Sequence, residues 1–371
     1  MLCDSACAVR FPCGGAERDV LNRMRRIAAK VFGHAVLPLA LLMAVPARAE
    51  SCTTQARMPG AMRDSLADTA LMLGTAVKAD DAATLKAATI AEYANNFGPI
   101  EDAVRSTSDR LKGDTLEVKQ VYELDASTRQ AGDSSEADFS CALKDTTAET
   151  DFAIPGLPPG VYGFAMVEAA STEPADHAWL LAFLLQKAGG GWKMAGFYPH
   201  ARTAAGDDGL WYWNAARERV RAKQPWLAWM YYNEADELLR PASFVTSTGL
   251  DKLRAEEHAA APPELSDGIG AQAPLVVKAK DGGEFHFTEM SSEAAADGLS
   301  LHLVLHYKVG ETADNAAADR ARNLAAAKAM IAAHPELRQG YSAVVVLGSV
   351  VVADAPQQAP SVLSVPMAEI P

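Results

Sequence analysis

Positive charge is scarce: 34 lysines and arginines stand against 47 aspartates and glutamates in 371 residues, a net of -13. A surface of that sign repels polyanions, which argues against duplex nucleic acid or an anionic lipid surface as the main partner. Long hydrophobic runs are missing too. The apolar stretches at residues 35–45 and 341–353 fall short of the roughly 20 residues that span a bilayer, so neither reads as a membrane anchor. Cysteine is rare, with five in the chain and only Cys52 and Cys141 beyond residue 49. There is no Cys-x-x-Cys after that point, no His-Glu-x-x-His, no Gly-x4-Gly-Lys and no Gly-x-Ser-x-Gly, Ser342 having glycine only upstream. These gaps lower the weight of hydrolase and nucleotide-enzyme readings. What remains, with 49% hydrophobic and 22% charged residues, is a globular composition with room for two or three domains.

The first positive signal is one of targeting. Met24 is followed by Arg25, Arg26 and Lys30, then by the apolar run 35–45, then by Ala47-Arg48-Ala49. A basic segment, a short apolar segment and a small-x-small site form a secretory signal peptide, with cleavage expected before Glu50. Arg25-Arg26 resembles a twin-arginine pair, but Ala28 and Ala29 stand where bulky apolar residues belong. Glu50, two residues before Cys52, makes a poor lipoprotein site. Residues 1–23 read as an upstream extension, so translation starts at Met1 or Met24. Cys3, Cys7 and Cys13 in that extension lack a nearby fourth metal ligand and would leave with the signal. The mature chain then carries 27 basic and 44 acidic residues, a net of -17, and is expected in the periplasm or outside the cell. In such an oxidising compartment Cys52 and Cys141 are expected to form a disulfide.

Beyond the signal, the periodicity predicts an α+β protein: N-terminal helices plus a curved antiparallel sheet, an aromatic helical hairpin, then a second, smaller α+β domain. The divisions fall at 50–203, 204–261, a linker at 262–273, 274–355, and a mobile tail at 356–371 with no core of its own. Residues 62–112 carry apolar side chains at helical spacing, among them Leu66, Ala70, Leu73 and Val77, and give three short helices. From Thr115 the period becomes two, which gives a half-buried strand, followed by strands at 138–143 and 161–169. A rigid loop at 154–160 lies between those two. Residues 179–187 and 192–198 flank Gly189-Gly190-Gly191 and form an antiparallel hairpin. In the last domain, strands are predicted at 275–280, 284–290, 299–309 and 341–353, with a helix over 313–334.

Three helices, an antiparallel sheet, and the run Lys187, Gly189-Gly190-Gly191, Trp192-Lys193-Met194-Ala195-Gly196-Phe197 resemble the nuclear-transport-factor-2-like fold over about residues 60–203. The resemblance implies a cone between sheet and helices, used in that group as a ligand pocket, an interaction surface or an acid/base site. No catalytic motif of its enzymes can be placed here. Within 226–241, Ala228, Tyr232, Ala235 and Pro241 resemble the second helix of a tetratricopeptide repeat. No second copy follows, so a packed helical hairpin is expected rather than an array.

Three sets of residues are candidate sites. Even-numbered register puts Tyr162, Phe164, Met166 and Glu168 on one strand face and Trp192, Met194, Tyr198 and His200 on another; together they would line an apolar pocket with Glu168 and His200 as an acid/base pair at its rim. The alternative is ordinary core packing under the helices. Trp211, Trp213, Trp226 and Trp229 with Arg217 and Arg221 make an aromatic, locally basic hairpin suited to a protein or peptide partner. Its alternative is interhelix packing. His302 and His306 lie about 13 Å apart along a strand, too far to share a metal ion, and with His286 they read as a solvated polar face. No cofactor or metal is expected. The residues favour an exported noncatalytic binding or interaction protein, its ligand a small apolar molecule or a peptide, over a cone-pocket isomerase or dehydratase, because the latter rests on two residues with no motif around them.

Overall fold

The computed structural model describes residues 50–143, 146–170, 178–266, 268–309, 316–350 and 360–371. The predicted signal peptide, with Cys3, Cys7 and Cys13, lies outside the described residues. The protein is mixed α+β. After a short strand β1 (Ser51–Thr54) come helices α1 (Gly60–Lys78), α2 (Ala82–Ala87), α3 (Ala91–Ala94) and α4 (Gly98–Ser108). α1 turns Leu66, Ala70, Leu73 and Val77 inward, the stripe that its 3.6-residue period predicts. The Asp81 carboxylate accepts the Thr84 amide and caps α2. Strands β2 (Thr115–Asp125), β5 (Val161–Ala170), β6 (Trp179–Ala188) and β7 (Gly191–Ala201) join β1 in an antiparallel sheet ordered β1-β2-β5-β6-β7. Gly189 and Gly190 both have positive φ, which the tight β6–β7 turn requires.

This sheet is covered on both faces. The helices pack on one, with Leu66, Leu73, Val167, Phe183 and Met194 in the shared core. α1 approaches so closely that a Cβ on Gly163 would stand 2.2 Å from Leu66 Cδ2. On the other face lies a sheet ordered β10-β4-β3, made of β3 (Glu136–Ala142), β4 (Glu149–Pro155) and β10 (Val245–Ser247). Sequence periodicity missed β4 and β10: the segment around Pro155 reads as loop, although Phe152 and Ile154 alternate inward. A disulfide joins Cys52 on β1 to Cys141 on β3 across a Cα–Cα distance of 5.3 Å, and so ties the edges of the two sheets. Beside it, the Glu50 carboxylate accepts hydrogen bonds from Arg129 and from the Asp138 amide.

The second half begins at a two-residue ladder, β8 (Thr203–Ala204) with β9 (Asp207–Asp208). Asp208 caps α5 (Gly209–Arg221); Pro225 opens α6 (Pro225–Leu239), and Ser247 caps α7 (Thr248–Ala260). Strands β11 (Leu275–Lys278), β12 (Glu284–Ala294), β13 (Leu301–Val309), β14 (Ala343–Val350) and β15 (Ser361–Pro366) form a sheet in chain order. It is antiparallel except where α8 (Ala316–Ala333) crosses over to lay β14 parallel to β13. The α5–α6 hairpin and α8 share one core with this sheet, so the hairpin is part of the C-terminal packing. The tail expectation fails for the described part of 356–371: β15 pairs with β14 and buries Leu363 and Val365, and Met367 and Ile370 follow them into the core. Among the described residues no helix is long and apolar enough to cross a membrane.

Candidate functional site

β7 carries a bulge opposite Leu184 and Leu185, and an extra residue in a strand reverses the facing of everything beyond it. Trp192 and Met194 therefore pack with the helices, while Tyr198 packs on the opposite face against Phe244. The single face expected from Trp192, Met194, Tyr198 and His200 is thus divided between two cores. The helix side, where the cone was expected, is occupied at Gly163 by Leu66.

Tyr162, Phe164 and Met166 share the face toward the small sheet. Tyr162 is buried, donates its hydroxyl to the Pro158 carbonyl and accepts from Gln186; burial pushes its phenol up to about 12. Phe164 and Met166 instead face a pocket of about 110 Å³. Tyr122 of β2, with Thr150 and Phe152 of β4, forms a second wall. Leu239 at the end of α6, Pro241 just after it, Val245, Thr246 and Ser247 of β10, and Leu250 of α7 close the rest. Edge-to-face contacts of Tyr122 with Phe152, and of Phe152 with Phe164, fix the aromatic part of the wall.

Polar groups at the pocket are hydroxyls. Tyr122 and Thr150 place their oxygens 3.4 Å apart, and desolvation holds the Tyr122 phenol above its ordinary pKa. The Ser247 oxygen accepts the Leu250 amide as the cap of α7. Thr246 donates to Asp251 and accepts from Arg254. Behind it Arg254 also pairs with Asp236, which pairs with Arg240, so the charges there compensate one another.

Glu168 and His200 are not brought together. Both lie opposite Leu180 of the intervening β6, one on each side, which puts them two strand spacings or roughly 10 Å apart. Glu168 faces Lys119 at 3.8 Å. The His200 Nε2 is shut off from solvent and makes no hydrogen bond among the described residues; burial first, and then Arg202, lowers its pKa to about 4.

The aromatic hairpin is mostly interior. Trp226 is buried and stacks on His334 with ring centroids 3.9 Å apart, and Trp229 is packed at the edge of the core. Trp213 donates to Glu256 and lies under the Arg217 guanidinium, which itself makes two bonds to Glu256. Of the six candidate residues, only Trp211, 45% exposed, and Arg221, near Glu218, are exposed. Among the described residues no group of three or more His, Cys, Asp or Glu side chains is placed to hold a metal ion. His302 and His306 stand opposite Glu293 and Glu289, and His286 opposite Lys308.

The pocket's β10 and α6–α7 walls were missed by sequence reasoning. Pro241 after a helix and Ser247 three residues ahead of Leu250 were the available signals. No family model, no curated protein and no solved structure matches the chain.

Proposed function

We propose that the chain is an exported binding protein without catalytic activity, and that its ligand enters the pocket between Phe164 and Met166 on one side and Thr246 to Leu250 on the other. The pocket carries this reading: it is concave, mostly apolar, and edged by hydroxyl groups, the composition of a site that holds and orients a small molecule. Among the described residues, its lining holds no carboxylate, histidine, lysine or arginine side chain. Its volume of about 110 Å³ approaches that of the apolar cavities of about 150 Å³ that take up benzene, so a six-membered ring is the size of guest it suits. Export rests on the basic, apolar and small-x-small segments ahead of Glu50, and the disulfide two residues after it accords with an oxidising compartment.

Binding is tested with toluene and the mature protein. A ligand that binds only the folded state raises the melting temperature with concentration. We expect this in the wild type and not in Met166→Lys, whose ammonium would occupy the pocket; no rise in the wild type would overturn the reading. N-terminal sequencing of the secreted protein should begin at Glu50, and recovery of an intact chain from the cytoplasm alone would overturn export.

A further inference from the structure

Resting on that reading, we infer that the ligand is a neutral ring compound bearing a hydrogen-bond-accepting oxygen, and that the Tyr122–Thr150 hydroxyl pair of the pocket recognises that oxygen. The inference comes from counting what each polar group at the wall has left to give. Thr246 is committed both ways, donating to Asp251 and accepting from Arg254. Ser247 has accepted the Leu250 amide and gives its own hydrogen to no acceptor among the described residues. Tyr122 and Thr150 share one long hydrogen bond of 3.4 Å in which either oxygen can donate, so one of their two hydroxyl hydrogens has no acceptor among the described residues. The phenol keeps its proton at neutral pH, because burial raises its pKa.

The pocket therefore presents uncommitted O–H donors beside aromatic and aliphatic walls. A hydroxyl hydrogen that a ligand shuts off from water without giving it a partner is costly, and a ligand oxygen supplies that partner. A charged ligand gains no comparable partner. No carboxylate, ammonium or guanidinium is among the lining residues, and the charges behind Thr246 are paired among themselves as Asp236 with Arg240 and Arg254. Desolvating an ion here would go uncompensated.

The test uses three ring compounds of one shape in calorimetric titrations of the mature protein: acetophenone, α-methylstyrene, which replaces its carbonyl oxygen with a methylene, and benzoate, which replaces its methyl with a charged oxygen. Acetophenone should bind several-fold more tightly than α-methylstyrene, and benzoate at least tenfold more weakly than acetophenone. In Tyr122→Phe, which keeps the ring, acetophenone should lose most of its advantage while α-methylstyrene binds as before; near-ultraviolet circular dichroism checks that this variant folds. If α-methylstyrene binds as well as acetophenone in the wild type, or if Tyr122→Phe leaves acetophenone unchanged, recognition of an oxygen is overturned and the pocket stands. Tightest binding by benzoate overturns the neutral class. If none of the three binds, or if binding survives Met166→Lys, the pocket reading itself falls.

Discussion

The two five-stranded sheets of this protein solve burial in different ways. In the first, helices cover one face and a three-stranded sheet the other, and β6 accordingly runs apolar without a break from Leu180 to Leu185. In the second, α6 and α8 cover one face among the described residues, and β13 turns Leu301, Leu303, Leu305 and Tyr307 inward and His302, His306 and Lys308 outward, with Val304 the one buried residue on that outward register. A sheet covered twice has to be apolar on both sides, whereas one covered once needs only alternation. The first half also carries the disulfide, which ties β1 of one layer to β3 of the other.

Removing that bond is expected to produce the largest difference between the halves. The cysteines are 89 residues apart, and closing a loop of that length stabilises by about 4–5 kcal/mol in the chain-entropy model. In Cys52→Ala/Cys141→Ala, hydrogen exchange should accelerate throughout β1 to β7 and stay slow in β11 to β15. Equal acceleration in both would show that the two halves unfold as one cooperative unit. Thiol titration of the unreduced, unfolded mature protein should find no free thiol.

Each half also buries a group that titrates, and the two should act in opposite directions. The His200 ring in the first half has its pKa lowered from 6.5 to about 4. As pH falls below 6.5 the unfolded chain takes up a proton that the folded chain refuses, so stability is lost between about pH 6.5 and 4. In the second half, Glu234 of α6 lies near Ser292, which shares a hydrogen bond with the buried Tyr341; desolvation, with Glu237 adding to it, raises the Glu234 pKa from 4.5 to about 7. Here the unfolded chain gives up its proton first, so stability is lost as pH rises from about 4.5 to 7. Each shift corresponds to about 3 kcal/mol. The two windows overlap, so the contributions offset one another in the wild type; urea unfolding followed from pH 4 to 7 should show His200→Gln losing less stability than the wild type on acidification, and Glu234→Gln losing less than the wild type as pH rises.

A third comparison is within β15, where the pattern inward at Leu363 and outward at Val362 makes one strand report on both faces. Leu363→Ala should cost about 2–3 kcal/mol by leaving a cavity under α8. A tail without a core, as its prolines suggest, would lose nothing, so urea midpoints of this variant decide between the two directly.

Much of this architecture was legible because period reports facing. The stripe of α1, the existence of β2 as a strand, the glycine turn between β6 and β7, and the pairing of Cys52 with Cys141 all follow from local residue chemistry. The losses have a common cause in backbone events that no side-chain pattern marks. The bulge in β7 moved Tyr198 away from the Trp192 and Met194 face. β4, β10 and β15 are short, and two of them end in or carry a proline, which reads as loop until partner strands supply their hydrogen bonds. The pocket was half visible: Phe164 and Met166 were named from register, but their opposing wall comes from residues about 80 positions later, a distance over which periodicity carries no information.

The smallest expected effect tests whether the second sheet is open at all. Val362 is 54% exposed on its outward face, and Val276 on the far edge strand is 45% exposed. Between them His286, His302 and His306 occupy the outward positions of β12 and β13. A lysine at an exposed strand position keeps its ammonium in water and leaves the β14–β15 hydrogen bonds intact, so Val362→Lys should shift stability by no more than about 0.5 kcal/mol. The urea midpoint and its dependence on protein concentration check this. A loss of more than about 2 kcal/mol would mean that this valine is buried in solution, as only a covering element or a second chain could make it. Were the loss also to depend on protein concentration, the cover would be another copy, and the contrast between a sheet covered twice and one covered once would hold for the isolated chain alone.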